Sequence, residues 1–174
     1  MEKVVLVNDN DEVLGSMDKL DAHIQGELHR AFSILVYNTN GEMLLQKRAT
    51  GKYHSGGLWT NACCSHQRPD EDSKVAAKRR LKEEIGIDAD PEFFYKFIYK
   101  AKLDNGLTEH EYDHVFTCTT DQNPILNVEE AEDFKYVSME DLYIDIDQNP
   151  FHYTFWFRLI VDNLKNRSEI EAIR

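Results

Sequence analysis

Trp59-Thr60-Asn61-Ala62-Cys63-Cys64-Ser65-His66 and the later Glu109-His110-Glu111 carry residue types that can do chemistry, at spacings that favour it. In an extended strand, side chains alternate between faces, so Cys64 and His66 project together, and so do Glu109 and Glu111. Two such strands side by side would place a thiol, an imidazole and two carboxylates in one pocket. That set can hold a divalent metal and still leave a proton donor and acceptor free for work on a carbon skeleton. Alternation turns Cys63 the other way, into the core, where a free cysteine serves as a small apolar side chain; the same is expected of Cys118. Taken singly, each of these residues has an ordinary structural role. Their convergence is what points to a site.

The elements that must position them are legible along the chain. Residues 4–7 and 13–16 read as strands around Asn8-Asp9-Asn10-Asp11, a hairpin signal. A short helical patch follows at 18–23. Residues 30–38 and 42–48 form a second strand pair across Asn38-Thr39-Asn40-Gly41, whose Asn-Gly favours a tight turn. Tyr53-His54-Ser55-Gly56-Gly57 is a loop, and one strand runs from 59 to 66. Residues 71–86 read as a helix: Ala77, Leu81 and Ile85 recur at helical spacing, Asp70 or Asp72 can cap its start, and Gly86 ends it. Residues 93–103 and 109–119 pair across Asp104-Asn105-Gly106, a short strand covers 134–137, and two helices follow, from 139 and over about 150–165. The expected fold class is α+β, a mixed sheet flanked by helices, in one domain over 1–174.

Composition narrows the partners. A net charge of −12 in 174 residues argues against nucleic acid, whose phosphates need a basic face. An anionic substrate must therefore meet a local cluster of cations, and the candidates are Lys19, Arg48, Lys52 and Arg80. No apolar run approaches the ~20 residues that span a membrane, and the first residues run straight into a strand pattern rather than a signal peptide. Three cysteines, two of them adjacent, make a poor disulfide framework, so a reduced cytoplasmic compartment is expected. The tail from Asn166 to Arg174 carries no strong partner helix, and a monomer is expected.

Arg79-Arg80-Leu81-Lys82-Glu83-Glu84-Ile85-Gly86-Ile87 resembles the end of the Nudix signature, with Glu71 at that signature's first Glu. Two positions depart from it. Ser65 stands where the leading Gly would be, and Arg80 replaces the Glu after the signature's Arg. Acidic residues on one face of that helix chelate the magnesium that drives diphosphate hydrolysis. Arg80 and Glu84 are four apart and share a face, so a cation sits where a metal ligand should be. Arg80 would instead suit a diphosphate oxygen. The scaffold signal stands; the hydrolytic signal is weakened.

With these residues assembled, the chain resembles the type I isopentenyl-diphosphate isomerases, a family built on the Nudix fold without its hydrolytic chemistry. The resemblance spans about residues 3–161, and Asp21-Ala22-His23, Leu28-His29-Arg30-Ala31-Phe32-Ser33, the 59–66 segment and Glu109-His110-Glu111 carry it. It implies a Nudix-like α/β/α sandwich. It also implies a divalent metal (manganese, magnesium or zinc) on His23, His29, His66, Glu109 and Glu111, in an octahedral N/O environment. Cys64 and Glu111 fall at the family's catalytic positions, and Tyr99 falls where a tyrosine helps the acid. Trp156 matches a tryptophan whose ring would face a cationic intermediate, an interaction of roughly 2 kcal/mol when desolvated. The small-molecule diphosphate substrate would be bound by Lys19, Arg48, Lys52 and Arg80, with Glu84 near a second magnesium brought by the substrate. His54, His110, His114 and His152 match no ligand position and are expected at the surface. A Nudix diphosphohydrolase and a non-catalytic Nudix-like binding module are the rival readings. Arg80 argues against the first, and the thiol against the second, because a pure binder has no need of it.

Overall fold

The structure, a computed structural model, describes residues 2–172. The chain runs β1 (Lys3–Val7), β2 (Val13–Asp18), α1 (Lys19–Gln25), β3 (His29–Tyr37), β4 (Met43–Arg48), β5 (Trp59–Asn61) and β6 (Cys63–Ser65). It continues through α2 (Ser73–Ile85), β7 (Glu92–Lys102), β8 (Thr108–Thr119), β9 (Ala131–Val137), α3 (Met139–Gln148) and α4 (Phe155–Ala172). Among the described residues, nine strands join one mixed sheet with β3 at its centre. One edge of β3 runs parallel to β8, His29 opposite Glu111; its other edge is shared antiparallel by β1, β6 and β4.

Alternation along β3 sorts the core. Phe32, Ile34 and Val36 pack with Ala76, Ala77, Leu81 and Ile85 of α2. Leu35, on the opposite face, packs with Val115, Tyr95 and Tyr99 and with Leu142, Ile146, Trp156, Phe157 and Ile160 of α3 and α4. The sheet therefore lies between α2 on one side and the C-terminal helices on the other, the expected α/β/α layering. Each large apolar side chain so buried contributes about 1.5–3 kcal/mol.

The three hairpin turns form as expected. In the first, Asn8 Oδ1 accepts from the backbone N–H groups of Asn10 and Glu12, both at 3.0 Å. In α2 the cap is Asp72, whose side chain accepts from Lys74 N at 2.9 Å and Val75 N at 3.2 Å. The helix thus starts at Ser73, later than expected, and leaves Glu71 outside it. Gly86 ends the helix at φ 70°, and a Cβ there would come within 2.8 Å of Ile125 Cβ, so glycine is required twice over.

Three expectations need correction. The 59–66 segment is two strands, broken at Ala62: β5 pairs with β4, and β6 with β3. The Asn61 side chain causes the break, because its Nδ2 donates to the carbonyls of Cys63 (2.7 Å) and Ile34 (3.2 Å) in place of a continuing ladder. Second, β6 and β8 are not neighbours; β3 lies between them, so their side chains meet across a strand rather than beside one another. Third, the last helix begins at Phe155, after a 3₁₀ turn at Pro150–His152, and continues to Ala172. Among the described residues, no helix is long and apolar enough to cross a membrane.

Candidate active site

His23 sits in α1, His29 opens β3, His66 follows β6, and Glu111 lies in β8 in register with His29. All four are buried, and each brings a ligand atom within 4.8 Å of the others. Two tautomers follow from their partners. His23 Nδ1 lies 2.7 Å from Lys19 O, and His29 Nδ1 lies 2.8 Å from Glu27 O. Carbonyl oxygens only accept, so both Nδ1 atoms carry hydrogen and both Nε2 atoms present bare lone pairs. Neither Nε2 has a hydrogen-bond partner, although both are buried, and His66 Nδ1 is likewise orphaned. Unpaired buried lone pairs of this kind are costly unless something fills the space between them. A divalent cation fits that demand, with Nδ1–H anchors of the sort that orient metal-bound imidazoles.

The carboxylates complete the case. Tyr99 has one hydroxyl hydrogen and two acceptors: Glu111 Oε2 at 2.6 Å and Glu109 Oε2 at 3.1 Å. The shorter contact takes the proton. Burial, reinforced by the neighbouring Glu111, holds the Glu109 carboxyl well above the usual range. Burial pulls Glu111 the same way, but contacts to His29 and His66 outweigh it and hold Glu111 well below that range. His66 itself is pushed down to about 4 by burial, so at neutral pH its 3.1 Å contact to Glu111 joins a neutral ring to a carboxylate. Two buried glutamates this close gain from a shared cation. Glu109 stands slightly apart from the first group, and its near ligand atoms are those of His23 and His54.

Across β3, the Cys64 sulfur has a defined surrounding. Its S–H donates to Asn61 Oδ1 at 2.9 Å, and Trp156 Nε1–H donates to the sulfur at 2.9 Å. Because Asn61 Nδ2 faces two carbonyls, its Oδ1 must face the thiol. Burial pushes the Cys64 thiol up to about 12, so it holds its proton at neutral pH. Ser33 Oγ lies 3.7 Å from the sulfur and donates to Asp113 Oδ2 at 2.8 Å. Cys63 faces away, fully buried in the core on the α2 side. Trp156 turns its indole edge to Cys64, while the Arg48 guanidinium lies over the ring, 5.2 Å from its centroid.

Cys64, Glu109, Glu111 and Trp156 line one cavity of about 560 Å³ together with Lys19, Arg48, Lys52 and Arg80. The cations are tethered within the protein. Lys19 pairs with Glu2 at 3.2 Å and Lys52 with Glu130 at 2.6 Å. Arg80 reaches Glu84 at 2.7 Å, Glu83 at 2.9 Å, Glu130 at 3.1 Å and Ser65 Oγ at 3.0 Å. Glu84 is not on the cavity wall. It is buried beneath Arg80, with Gln46 Nε2 at 3.3 Å, whereas Glu83 and Glu130 are exposed to the cavity. Tyr99 and His29 stand behind the wall, against the residues that form it.

Sequence reasoning missed three residues. Asp113 is fully buried and its pKa is pushed up to about 8, chiefly by burial. Its signal was the alternation itself, since Glu109, Glu111 and Asp113 fall on one face of β8. Asn61 carried no signal beyond its place in the motif. His54 was expected at the surface, and the structure contradicts this: it is buried at the cavity, where burial and then Arg48 push its pKa down to about 3. Tyr53, His23 and Trp156 enclose its ring, a packing that no local pattern announces. His152 is exposed as expected, while His110 and His114 are partly covered by Gly26 O and Asp11 respectively.

Comparison with known proteins identifies the fold and the family. The NUDIX domain family model matches residues 27–158. Isopentenyl-diphosphate Delta-isomerase 2 of Aromatoleum aromaticum is 46% identical, covering 94% of this chain and 86% of its own. The protein of the same name from Photorhabdus laumondii is 49% identical, covering 94% and 92%. Among solved structures, a Deinococcus radiodurans protein superposes with a TM-score of 0.71 at 18% identity, covering 85% of this chain and 90% of that one. The MutT protein of Methanosarcina mazei gives 0.67 at 20% identity, covering 81% and 95%; at these identities the likeness is one of fold. This chain belongs to the isopentenyl-diphosphate Delta-isomerase family, carried on a Nudix domain.

Proposed function

We propose that this protein interconverts isopentenyl diphosphate and dimethylallyl diphosphate, a step of isoprenoid biosynthesis. The observation that carries this reading is the placement of Cys64 and Glu111 on β6 and β8, the two strands flanking β3, both facing a cavity whose lining cations include Lys19, Arg48, Lys52 and Arg80. Moving the double bond requires a proton at the terminal alkene carbon. It also requires loss of one from the methylene between the alkene and the oxygen-bearing carbon. Two groups approaching a flat carbon skeleton from different strands can divide that work, and in the reverse reaction they exchange roles.

Cys64 and Glu111 are the proton-transfer pair, and Tyr99 is the residue that holds Glu111 by a 2.6 Å hydrogen bond. His23, His29, His66, Glu109 and Glu111 would hold manganese, magnesium or zinc, which when bound draws charge from the carboxylates and so sets their proton affinity. Lys19, Lys52 and Arg80 take the diphosphate by exchanging internal carboxylates for substrate oxygens, and Arg48 joins them from its place against the His54 carbonyl and the Trp156 ring. Glu84, buried beneath Arg80, would meet a second magnesium carried by the substrate only once Arg80 has turned to the diphosphate. Trp156 walls the carbon end of the cavity against Cys64 and keeps water from a cationic intermediate. The reading is of a cytoplasmic monomer with a small-molecule substrate, and Cys63, Cys64 and Cys118 are all free thiols.

The test is to incubate the protein with isopentenyl diphosphate and a divalent metal in D2O and follow products by NMR. Allylic isomer with deuterium on carbon and no released phosphate is expected. Phosphate without isomer would sink this reading and favour a diphosphohydrolase.

A further inference from the structure

His54 lies on the loop between β4 and β5, yet only 6% of it is exposed. Loop histidines with no task are ordinarily solvated. Its ring stacks on His23 with centroids 6.1 Å apart and planes 29° apart, and it meets Tyr53 edge-on at 4.4 Å. Nδ1 is occupied by Ser55 Oγ at 3.2 Å, and the backbone carbonyl accepts from Arg48 at 3.3 Å. Nε2 is left facing Glu109 Oε1 at 3.6 Å, too long for a hydrogen bond. His29 Nε2 keeps the same 3.6 Å from Glu111 Oε1 inside the metal cluster. An imidazole nitrogen and a carboxylate oxygen held this close without bonding directly suit a cation that both could ligate.

His23 belongs to two such groups, one with His29, His66 and Glu111, the other with His54 and Glu109. An ion reached by both would have six donors, four imidazole nitrogens and two carboxylate oxygens. That is an octahedral set, and the two glutamates would balance a divalent charge. We propose that His54 is a ligand of the metal, a fourth histidine that closes the site on its cavity side. The inference rests on the metal site described above and adds to it a donor from the loop that also carries Lys52. Ordering that loop for the metal would position a diphosphate-binding cation two residues away.

The experiment uses the full chain, freed of metal by chelation and titrated with manganese, with pulsed EPR counting the coordinated imidazole nitrogens. Four nitrogens are expected in the wild type. His54→Ala and the larger His54→Gln should each bind manganese at least about tenfold more weakly and show three. His152→Ala, at an exposed histidine, should match the wild type. Three nitrogens in the wild type, with unchanged affinity in both His54 variants, would overturn the inference and leave the five-residue site standing. Weaker affinity with an unchanged nitrogen count would also overturn it, placing His54 outside the coordination sphere. A wild type that binds no manganese through histidine would overturn the metal reading itself.

Discussion

Two regions of this molecule bring acidic and basic side chains together, and they do so in opposite ways. On α2, where the Nudix signature falls, each charge near Arg80 has a partner: its guanidinium is shared by Glu83, Glu84 and Glu130, and Glu71 is taken by Arg79 at 2.8 Å. In the pocket along β3 and β8, the lone pairs of His23 and His29 have none. A set of paired charges makes no demand for a cation, whereas orphaned buried nitrogens beside two carboxylates do. The difference separates scaffold from chemistry. The helix that carries the Nudix signature is internally neutralised here, and the candidate metal cluster lies along the sheet.

The contrast yields predictions of decreasing size. Removing divalent metal should abolish turnover, and manganese, magnesium or zinc should restore it; full activity in the presence of a strong chelator would break the comparison outright. Cys64→Ala and Glu111→Gln should each cost about 10²–10⁴-fold in kcat, the usual worth of a general acid or base. Cys63→Ala should leave kcat nearly unchanged, and steady-state kinetics showing the reverse pattern would mean that the faces of β6 are misassigned. Arg80→Glu adds a carboxylate to three already present. Isomerisation should fall without efficient hydrolysis appearing, and urea unfolding should report a loss of about 3 kcal/mol, typical of breaking a buried pair. Strong new phosphate release from that variant would show that Arg80 alone separates the two chemistries.

A further prediction concerns stability rather than turnover and falls on Asp113. Its folded pKa of about 8 lies above the ordinary 3.8, so the folded state binds this proton more tightly than the unfolded chain does. Its contribution to stability is therefore complete below about pH 4 and is lost as pH rises to about 8. Asp113→Asn is neutral throughout and keeps an acceptor for Ser33. Relative to the wild type, the variant should gain stability across that window and level off above it. Parallel unfolding midpoints for the two proteins over the same pH range would contradict this.

What could be read from the sequence was mostly local. Turn chemistry and period-two alternation located β1–β2, β3–β4 and β7–β8 and turned Cys63 and Cys64 to opposite faces. Helical spacing and Gly86 located α2, though its start depended on which aspartate capped it. The parallel pairing of His29 with Glu111 joins segments far apart in the chain, so no periodic pattern announces that β3 separates the thiol from the carboxylates. The break at Ala62 follows from one side chain, Asn61, bonding to backbone on another strand. The burial of His54 depends on a tryptophan about a hundred residues away. The candidate ligand set was visible as motifs; the shape of the pocket required the fold.

The most direct test of the sheet-against-helix comparison is a crystal of the wild type grown with manganese, its ion located by anomalous scattering. The account predicts a strong peak enclosed by His23, His29, His66, Glu109 and Glu111 in the absence of substrate. A peak on α2 at Glu71, Glu83 and Glu84, with the three imidazoles left unliganded, would contradict it.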